Sequence, residues 1–326
     1  MRLAERLGLE HPVVQAGMGG GIAGARLAGA VSAAGGLGTV GILPPAQFRT
    51  ELERVRDLAP GKPFSANLLV PFMRRAHVEA CVEARVAAVV FHAGLSRAAI
   101  TQLRGAGVIV LQTVGTQQEA LQALDAGVDG LIAQGVEAGG HLVGVEPALR
   151  TLSQVLAVAA YTPVLVAGGI ADRDDTRRAL DAGADGVVAG TRFLLTEECD
   201  AHPGYQQRVL AADRTLRTML FGLGWPMPHR VVPNAATERW CRRDDRGPRA
   251  VIALERLSSP LARLPMSITG RTVKTQDPRV PLFGPATPLA GMPDRLVDSS
   301  ALYAGETALR IDAIVPAARA VALLAG

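Results

Sequence analysis

The sequence predicts an α/β protein, a (β/α)8 TIM barrel with a smaller inserted or appended C-terminal region. Eight short apolar runs recur at roughly even spacing, each followed by a segment of helical periodicity. Two hand-offs from helix to strand are near copies, LDAGVDGLIA at 124–133 and LDAGADGVVA at 180–189. After Gly190 the rhythm stops and the chain becomes rich in Pro, Arg and Asp. Repeated β-α units of this kind close into a barrel, and the arrhythmic stretch is left over as a smaller body.

The strand candidates are Val13–Gly17, Gly38–Ile42, Phe64–Leu68, Ala87–His92, Val108–Val114, Gly130–Gln134, Val164–Gly168 and Gly186–Gly190. Between them lie segments such as that starting near Pro45, where Phe48, Leu52, Val55 and Leu58 share one helical face. Pro is favoured at a first helical turn because its missing N–H would be unpaired there. In the two copied hand-offs the first Gly, Gly127 or Gly183, sits where a helix needs a left-handed residue after its end. The second, Gly130 or Gly186, opens a strand that is apolar at every position, as in a parallel sheet buried on both faces. The expected organisation is a barrel over 1–205, completed by a C-terminal helix within 303–326, and a smaller substrate or lid region over 206–302.

Composition narrows the partners. The 326 residues are 48% hydrophobic and 20% charged, and the formal net charge is +4 with a pI of about 9.3. Nearly all basic residues are Arg, Lys62 and Lys274 being the two lysines, and they are interleaved with acids as on solvated helix faces. This favours a small-molecule substrate over nucleic acid. The uncharged stretch from Leu27 to Ala46 is broken by Gly35, Gly36, Gly38, Gly41, Pro44 and Pro45, so it reads as helix, turn and strand, not as a membrane span. Three distant cysteines (Cys81, Cys199, Cys241), with no CxxC, suit a reducing interior without disulfides or zinc, and the N-terminus lacks a signal-peptide core. A cytoplasmic protein without a metal is expected.

One rival fold has a motif in its favour. Gly19, Gly21 and Gly24 satisfy G-x-G-x-x-G after a strand, the dinucleotide-binding fingerprint. That fold also needs an acid near the end of its second strand, where this chain reads Thr39-Val40-Gly41-Ile42-Leu43. The Rossmann reading is rejected.

The chemistry is expected on the loop QGVEAGGHLVG, Gln134 to Gly144. Gly135, Gly139 and Gly140 permit a backbone that can press against a ligand, and the loop then presents His141, whose imidazole titrates near neutrality. His141 is therefore the candidate catalytic residue. Asn67, Gln112 and Gln134 stand at strand ends; buried without partners each would cost about 1–3 kcal/mol, and their amides suit a neutral heterocycle. Gly168 and Gly169 after the seventh run, and Gly190 and Thr191 after the eighth, form a candidate phosphate cradle. His92 is read either as pocket-lining or as structural, and Glu137 either as a base or as a loop-orienting group. His77, His202 and His229 are read as surface or capping residues, and His11 as structural.

With these residues identified, the chain resembles the nitronate monooxygenase family, formerly grouped as 2-nitropropane dioxygenases. The matching stretches are VVQAGMGGGIAGARLAGAVSAAGGLGTVG, Asn67, AQGVEAGGHLVG, VAGGIADRDD, VAGTRFLLTEE, LGWPMPHRVVPN and ALYAGE. The resemblance implies an FMN-binding barrel, with FMN contacts near Asn67, Gln134, Gly139, Gly168 and Val188-Ala189-Gly190-Thr191, and with Gly17 and Met18 along the isoalloxazine. It implies that His141 is the active-site histidine and that alkyl nitronates are oxidised with O2 to a carbonyl compound and nitrite. Tyr303, in ALYAGE, is within the stretch expected to reach the pocket. Two departures stand out: Gly17 where the family often has Pro, and Leu142-Val143 before Gly144 where a shorter turn is usual. An NAD(P)H-dependent flavin reductase of the enoyl-ACP or quinone reductase type resembles the same barrel and stays open. So does a non-flavin phosphate-binding barrel, although that class expects a catalytic Glu or Lys at strand ends.

Overall fold

The computed structural model describes residues 3–263 and 273–325; residues 264–272 of the expected smaller region, and Gly326, lie outside it. Eight strands run parallel in one sheet: β1 Val13–Gln15, β2 Gly38–Val40, β3 Phe64–Leu69, β4 Ala88–His92, β5 Ile109–Val114, β6 Gly130–Gln134, β8 Val164–Ala167 and β9 Gly186–Ala189. Their spatial order is β1-β9-β8-β6-β5-β4-β3-β2. Leu37, just before β2, pairs in parallel with Val14 of β1 and so closes the circle. The expected (β/α)8 barrel is the observed architecture.

Alternate side chains divide between two apolar layers. Val14, Leu37, Val90, Leu111, Ile132, Leu165 and Val188 fill the barrel interior, and Leu3 and Leu7 of the short helix Leu3–Leu7 join the same cluster. Val13, Leu68, Phe91, Val110, Leu131, Val166 and Val187 face outward into the layer shared with the helices. Both faces are buried, which is why the strands read as unbroken apolar runs.

The copied hand-offs have a common physical content. Gly127 and Gly183 have φ of +84° and +97°, the left-handed geometry that ends each preceding helix. The aspartates that follow tie the hand-off to the next strand over. Asp129 accepts from the Val110 N–H at 2.9 Å, and Asp185 from the Val164 N–H at 3.0 Å. Each carboxylate thus satisfies the N–H at or near the start of the neighbouring strand, one of the backbone donors that a barrel rim leaves over.

A second sheet, antiparallel and three-stranded, is made by β7 Gly140–His141, β10 Leu216–Thr218 and β11 His229–Val231, in the order β10-β11-β7. Around it Leu216, Leu220, Phe221, Val231, Val251 and Phe283 form a separate apolar cluster. The expected helix within 303–326 is shorter than anticipated, since only Ala317–Leu324 is α-helical. Glu306–Leu309 is a single 3-10 turn, Leu309 is 46% exposed, and Pro316 stands at the helix N-cap. Arg310 is drawn instead to Asp175 and to the Gly169 carbonyl, which holds the chain before Pro316 out of a helical path. The remaining helix does return to the barrel, packing against the helices Ala25–Ala33 and Arg173–Asp181.

Candidate active site

The loop after β6 is fastened by its own first residue. The Gln134 carboxamide oxygen accepts from the N–H groups of Val143 (2.8 Å) and Gly144 (3.3 Å), and its NH2 donates to the His141 carbonyl (3.3 Å). Its hydrogen-bonding groups are thereby engaged within the loop, and Gln134 sets the position of His141. Glu137, left between two roles by the sequence, caps the helix Ala148–Ala159, accepting from the Ala148 N–H with both oxygens (3.0 and 2.9 Å). Arg230 donates twice to the Val136 carbonyl (3.0 and 2.8 Å) and pairs with Glu306 at 3.0 Å. The loop is therefore gripped from inside the barrel and from the smaller sheet.

His141 lies in β7, paired with His229 of β11, and is 8% exposed. Trp225 is stacked on it, with ring centroids 3.6 Å apart and planes inclined by 19°. The rings of His229 and Tyr303 each stand 5.2 Å away. Burial is the largest cause that pushes the His141 pKa well below its ordinary value, and the nearby His229 and His92 add to it. The imidazole is therefore neutral at physiological pH. Its Nε2 is buried without a hydrogen-bond partner, and so are the Trp225 indole Nε1 and Gln112 Oε1. Unpartnered buried polar atoms are costly in a native fold, and the two on the stacked rings of His141 and Trp225 mark this site for a ligand.

The neighbouring histidine has its own partners. His229 Nδ1 lies 2.9 Å from the Met227 carbonyl, and its Nε2 accepts from the Phe221 N–H at 3.3 Å. That pair assigns the Nδ1–H tautomer, and burial drives the pKa down to about 4. His92, at the end of β4, is likewise pushed to about 4 by burial. Tyr303 donates its hydroxyl to the Pro285 carbonyl at 3.0 Å, so its ring, and not its OH, faces the histidines.

The other residues singled out in the sequence ring the C-terminal ends of the strands. Gly17 lies against Asn67: a Cβ on Gly17 would come within 2.1 Å of Asn67 Cβ. This explains why a proline does not stand here, since Asn67 fills that space and donates to the Val90 carbonyl at 3.1 Å. The Met18 carbonyl accepts from the Ala23 N–H at 3.0 Å. Gln112 spends its NH2 on the carbonyls of Gly94 (3.1 Å) and Thr113 (3.0 Å), leaving Oε1 unused. Gly168 and Gly169 both have positive φ, +110° and +77°, and Arg310 holds the Gly169 carbonyl at 2.9 Å. Because the following peptide is trans, the Ile170 N–H points the opposite way from that guanidinium. Val188 faces the barrel interior, Ala189 ends β9, and Gly190 follows beside Ala16. Thr191 Oγ1 accepts from the Gly305 N–H at 2.9 Å, and Gly305 in turn abuts Gly139. Gly140, φ +77°, has no atom within 4 Å of where a Cβ would lie.

The family model for nitronate monooxygenase matches residues 1–76 and 70–324, nearly the whole chain. The chain belongs to that family. Membership places it among flavin-dependent oxidoreductases acting on small molecules. Among its relatives, a 5-hydroxy-7a-methyl-1-oxo-octahydro-1H-indene-4-carboxyl-CoA dehydrogenase of Mycobacterium tuberculosis is 36% identical over 73% of this chain and 67% of that one. For the corresponding Rhodococcus jostii dehydrogenase the match spans 65% of the relative's length. A nitronate monooxygenase of Pseudomonas aeruginosa is 34% identical over 67% of this chain and 76% of its own. Two solved structures are similar along almost the full length. FabK from Thermotoga maritima has a TM-score of 0.77 at 26% identity, covering 99% of this chain and 94% of its own. A nitroalkane oxidase from Streptomyces ansochromogenes has a TM-score of 0.76 at 28% identity, covering 98% and 96%.

Two members of the site escaped the sequence. His229 was expected at the surface or in a cap, but it is fully buried and packs on His141. Trp225 had no assigned role. The pairing of β7 with β11 joins residues far apart in the chain, and a two-residue strand carries no periodicity from which to foresee it. The capping reading of His77 and His202 holds, each ring accepting a backbone N–H at a helix start, although both residues are buried.

Proposed function

We propose that the protein is an FMN-dependent enzyme that oxidises alkyl nitronates, with O2 as co-substrate, to carbonyl compounds and nitrite in the cytoplasm. The observation that carries the reading is the neutral, buried His141, whose unpartnered Nε2 lies beside the unpartnered Trp225 indole at the C-terminal mouth of a barrel of this family. The residues present fit a flavin. Gln112 Oε1 is a buried acceptor without a donor, and Gly140 and Gly169, at positive φ, have open space where a side chain would stand. Gly17, Met18, Asn67, Gln112, Gly139 and Gly140 would line the ring system, with Gln134 fixing the loop. Gly168, Gly169, Val188, Ala189, Gly190 and Thr191 would hold the ribityl phosphate. When bound, the cofactor supplies the redox chemistry.

The chain's own contribution is to bind and orient an anion in a dry site. A neutral imidazole can accept the α-proton of a nitroalkane at Nε2; a bound nitronate would instead favour the protonated ring, because a nearby negative charge raises a histidine pKa. The small sheet, with Trp225 and Tyr303, keeps His141 8% exposed, and a site closed to water strengthens both interactions. We take that region to be the substrate or lid portion and the remainder to be the cofactor-binding barrel.

A second reading, an NAD(P)H-dependent flavin reductase, is favoured by the full-length likeness to FabK. An anaerobic visible spectrum of the purified protein, recorded with ethylnitronate and in parallel with NAD(P)H, separates the two. Bleaching of flavin absorbance by nitronate alone supports the oxidation; bleaching by NAD(P)H alone overturns it in favour of the reductase. Absence of flavin after reconstitution with FMN would sink both.

A further inference from the structure

Trp225 reaches His141 from a turn that is held at every backbone donor. The Gly222 N–H bonds the Glu255 carboxylate (3.1 Å), Leu223 N–H the Phe283 carbonyl (3.1 Å), Gly224 N–H the Ser258 hydroxyl (2.7 Å) and Trp225 N–H the Gly222 carbonyl (2.8 Å). Phe72, from the loop after β3, meets the indole edge-on at 5.1 Å. A tryptophan fixed with this care normally finds a partner for its N–H when buried. Here the residue is 7% exposed and Nε1 has none, although it lies on the ring of a histidine whose Nε2 also has none.

An indole N–H only donates, so whatever satisfies it is an acceptor. The two rings are nearly parallel, and each nitrogen's hydrogen-bonding direction lies in its own ring plane. Two binding directions therefore run in neighbouring planes, separated by no more than the 3.6 Å between centroids. One small planar anion with two oxygens can bridge such a pair, each oxygen taking one N–H. We propose that Trp225 is a substrate-binding residue, and that its indole N–H and His141 Nε2 together clamp the two oxygens of a planar nitronate or carboxylate-like anion. The proposal deepens the nitronate reading and rests on it for the identity of the substrate. Both atoms are closed to solvent in this arrangement, so a ligand enters by displacing the indole along the imidazole. The held turn keeps the Trp225 backbone in place, so the movement is a rotation of its side chain.

Acetate, the carboxylate isoster of ethylnitronate, is the probe. The chain has two tryptophans, and Trp240 is bonded elsewhere, to the Pro278 carbonyl at 2.8 Å. In a Trp240→Phe protein the remaining indole emission reports on Trp225 alone. Titration with sodium acetate against sodium chloride at constant ionic strength should change that emission saturably. Calorimetry should give an acetate Kd about tenfold weaker, or more, in Trp225→Phe, which keeps an aromatic ring on His141 and loses only the N–H. A flat emission titration, or equal Kd values in the two proteins, overturns the clamp. Turnover of ethylnitronate by the unsubstituted enzyme is read separately. Its absence with the acetate result intact would remove the nitronate reading and leave the anion clamp standing.

Discussion

Glu255 offers a quantitative test of how the smaller region is held. It lies on the helix Arg249–Leu257, is 2% exposed, and has one oxygen on the Gly222 N–H and the other, Oε2, buried without a partner. Burial raises its pKa from 4.5 to about 7, against the lowering effect of the Gly222 N–H. A carboxyl whose pKa is higher folded than unfolded keeps a proton that the unfolded chain has released. Its contribution to stability is fully present below pH 4.5, falls as pH rises through the window, and is lost above about 7. About 2.5 pKa units at about 1.36 kcal/mol each amount to about 3 kcal/mol. Glu255→Gln keeps an acceptor for Gly222 and cannot ionise. It should match the unsubstituted protein near pH 4 and exceed it by up to about 3 kcal/mol at pH 8, or about 6 °C in Tm for a chain of this size. Scanning fluorimetry of both proteins at the two pH values, in one ionic strength, makes the comparison. The buried histidines His92 and His229 give a slope of opposite sign below pH 6.5, but it is common to both proteins and cancels in the difference. A Tm difference that does not vary with pH would refute an ionisation penalty at Glu255.

The same structure makes three further predictions. His141→Ala should abolish ethylnitronate turnover while the flavin absorbance per mole of protein stays unchanged; an unaltered rate removes His141 from the mechanism. Gly139→Ala would place a Cβ 2.5 Å from the Gly305 N and 2.6 Å from the Ala304 carbonyl carbon, with backbone on the other side. It should cost about 1–3 kcal/mol and lower flavin occupancy, measured by Tm and by the visible spectrum. Arg230→Met leaves the Val136 carbonyl without its two guanidinium bonds, and Glu306 without its cation. It should lose about 2–4 kcal/mol in chemical denaturation, and an unchanged midpoint would show the clamp on the loop to be dispensable.

The barrel was legible because its signal is local and repeated. Buried parallel strands read as apolar runs, and the two LDAG hand-offs marked helix ends that the positive φ of Gly127 and Gly183 bears out. Glycines at strand ends pointed to the C-terminal mouth, where the structure also puts them. The environment of His141 was not legible, because it is made by pairing across the chain. Gln134 could be seen as a strand-end amide, but not as the fastener of its own loop, since this depends on where Val143 and Gly144 return. The expected terminal helix was overextended because apolar residues recur through 303–326, whereas Pro316 and the pull of Asp175 on Arg310 decide otherwise.

The pairing of β7 with β11 has a consequence for the order of synthesis. All eight barrel strands are complete by Ala189, yet His141 gains its strand partner only with His229, and Tyr303 arrives later still. Chains emerge from the ribosome N-terminus first and fold in that order. A nascent barrel therefore carries its histidine on a loop fastened only by Gln134 and Glu137 until β11 is made. Fragments left by premature termination after the barrel strands would carry His141 without the strand and rings that bury it.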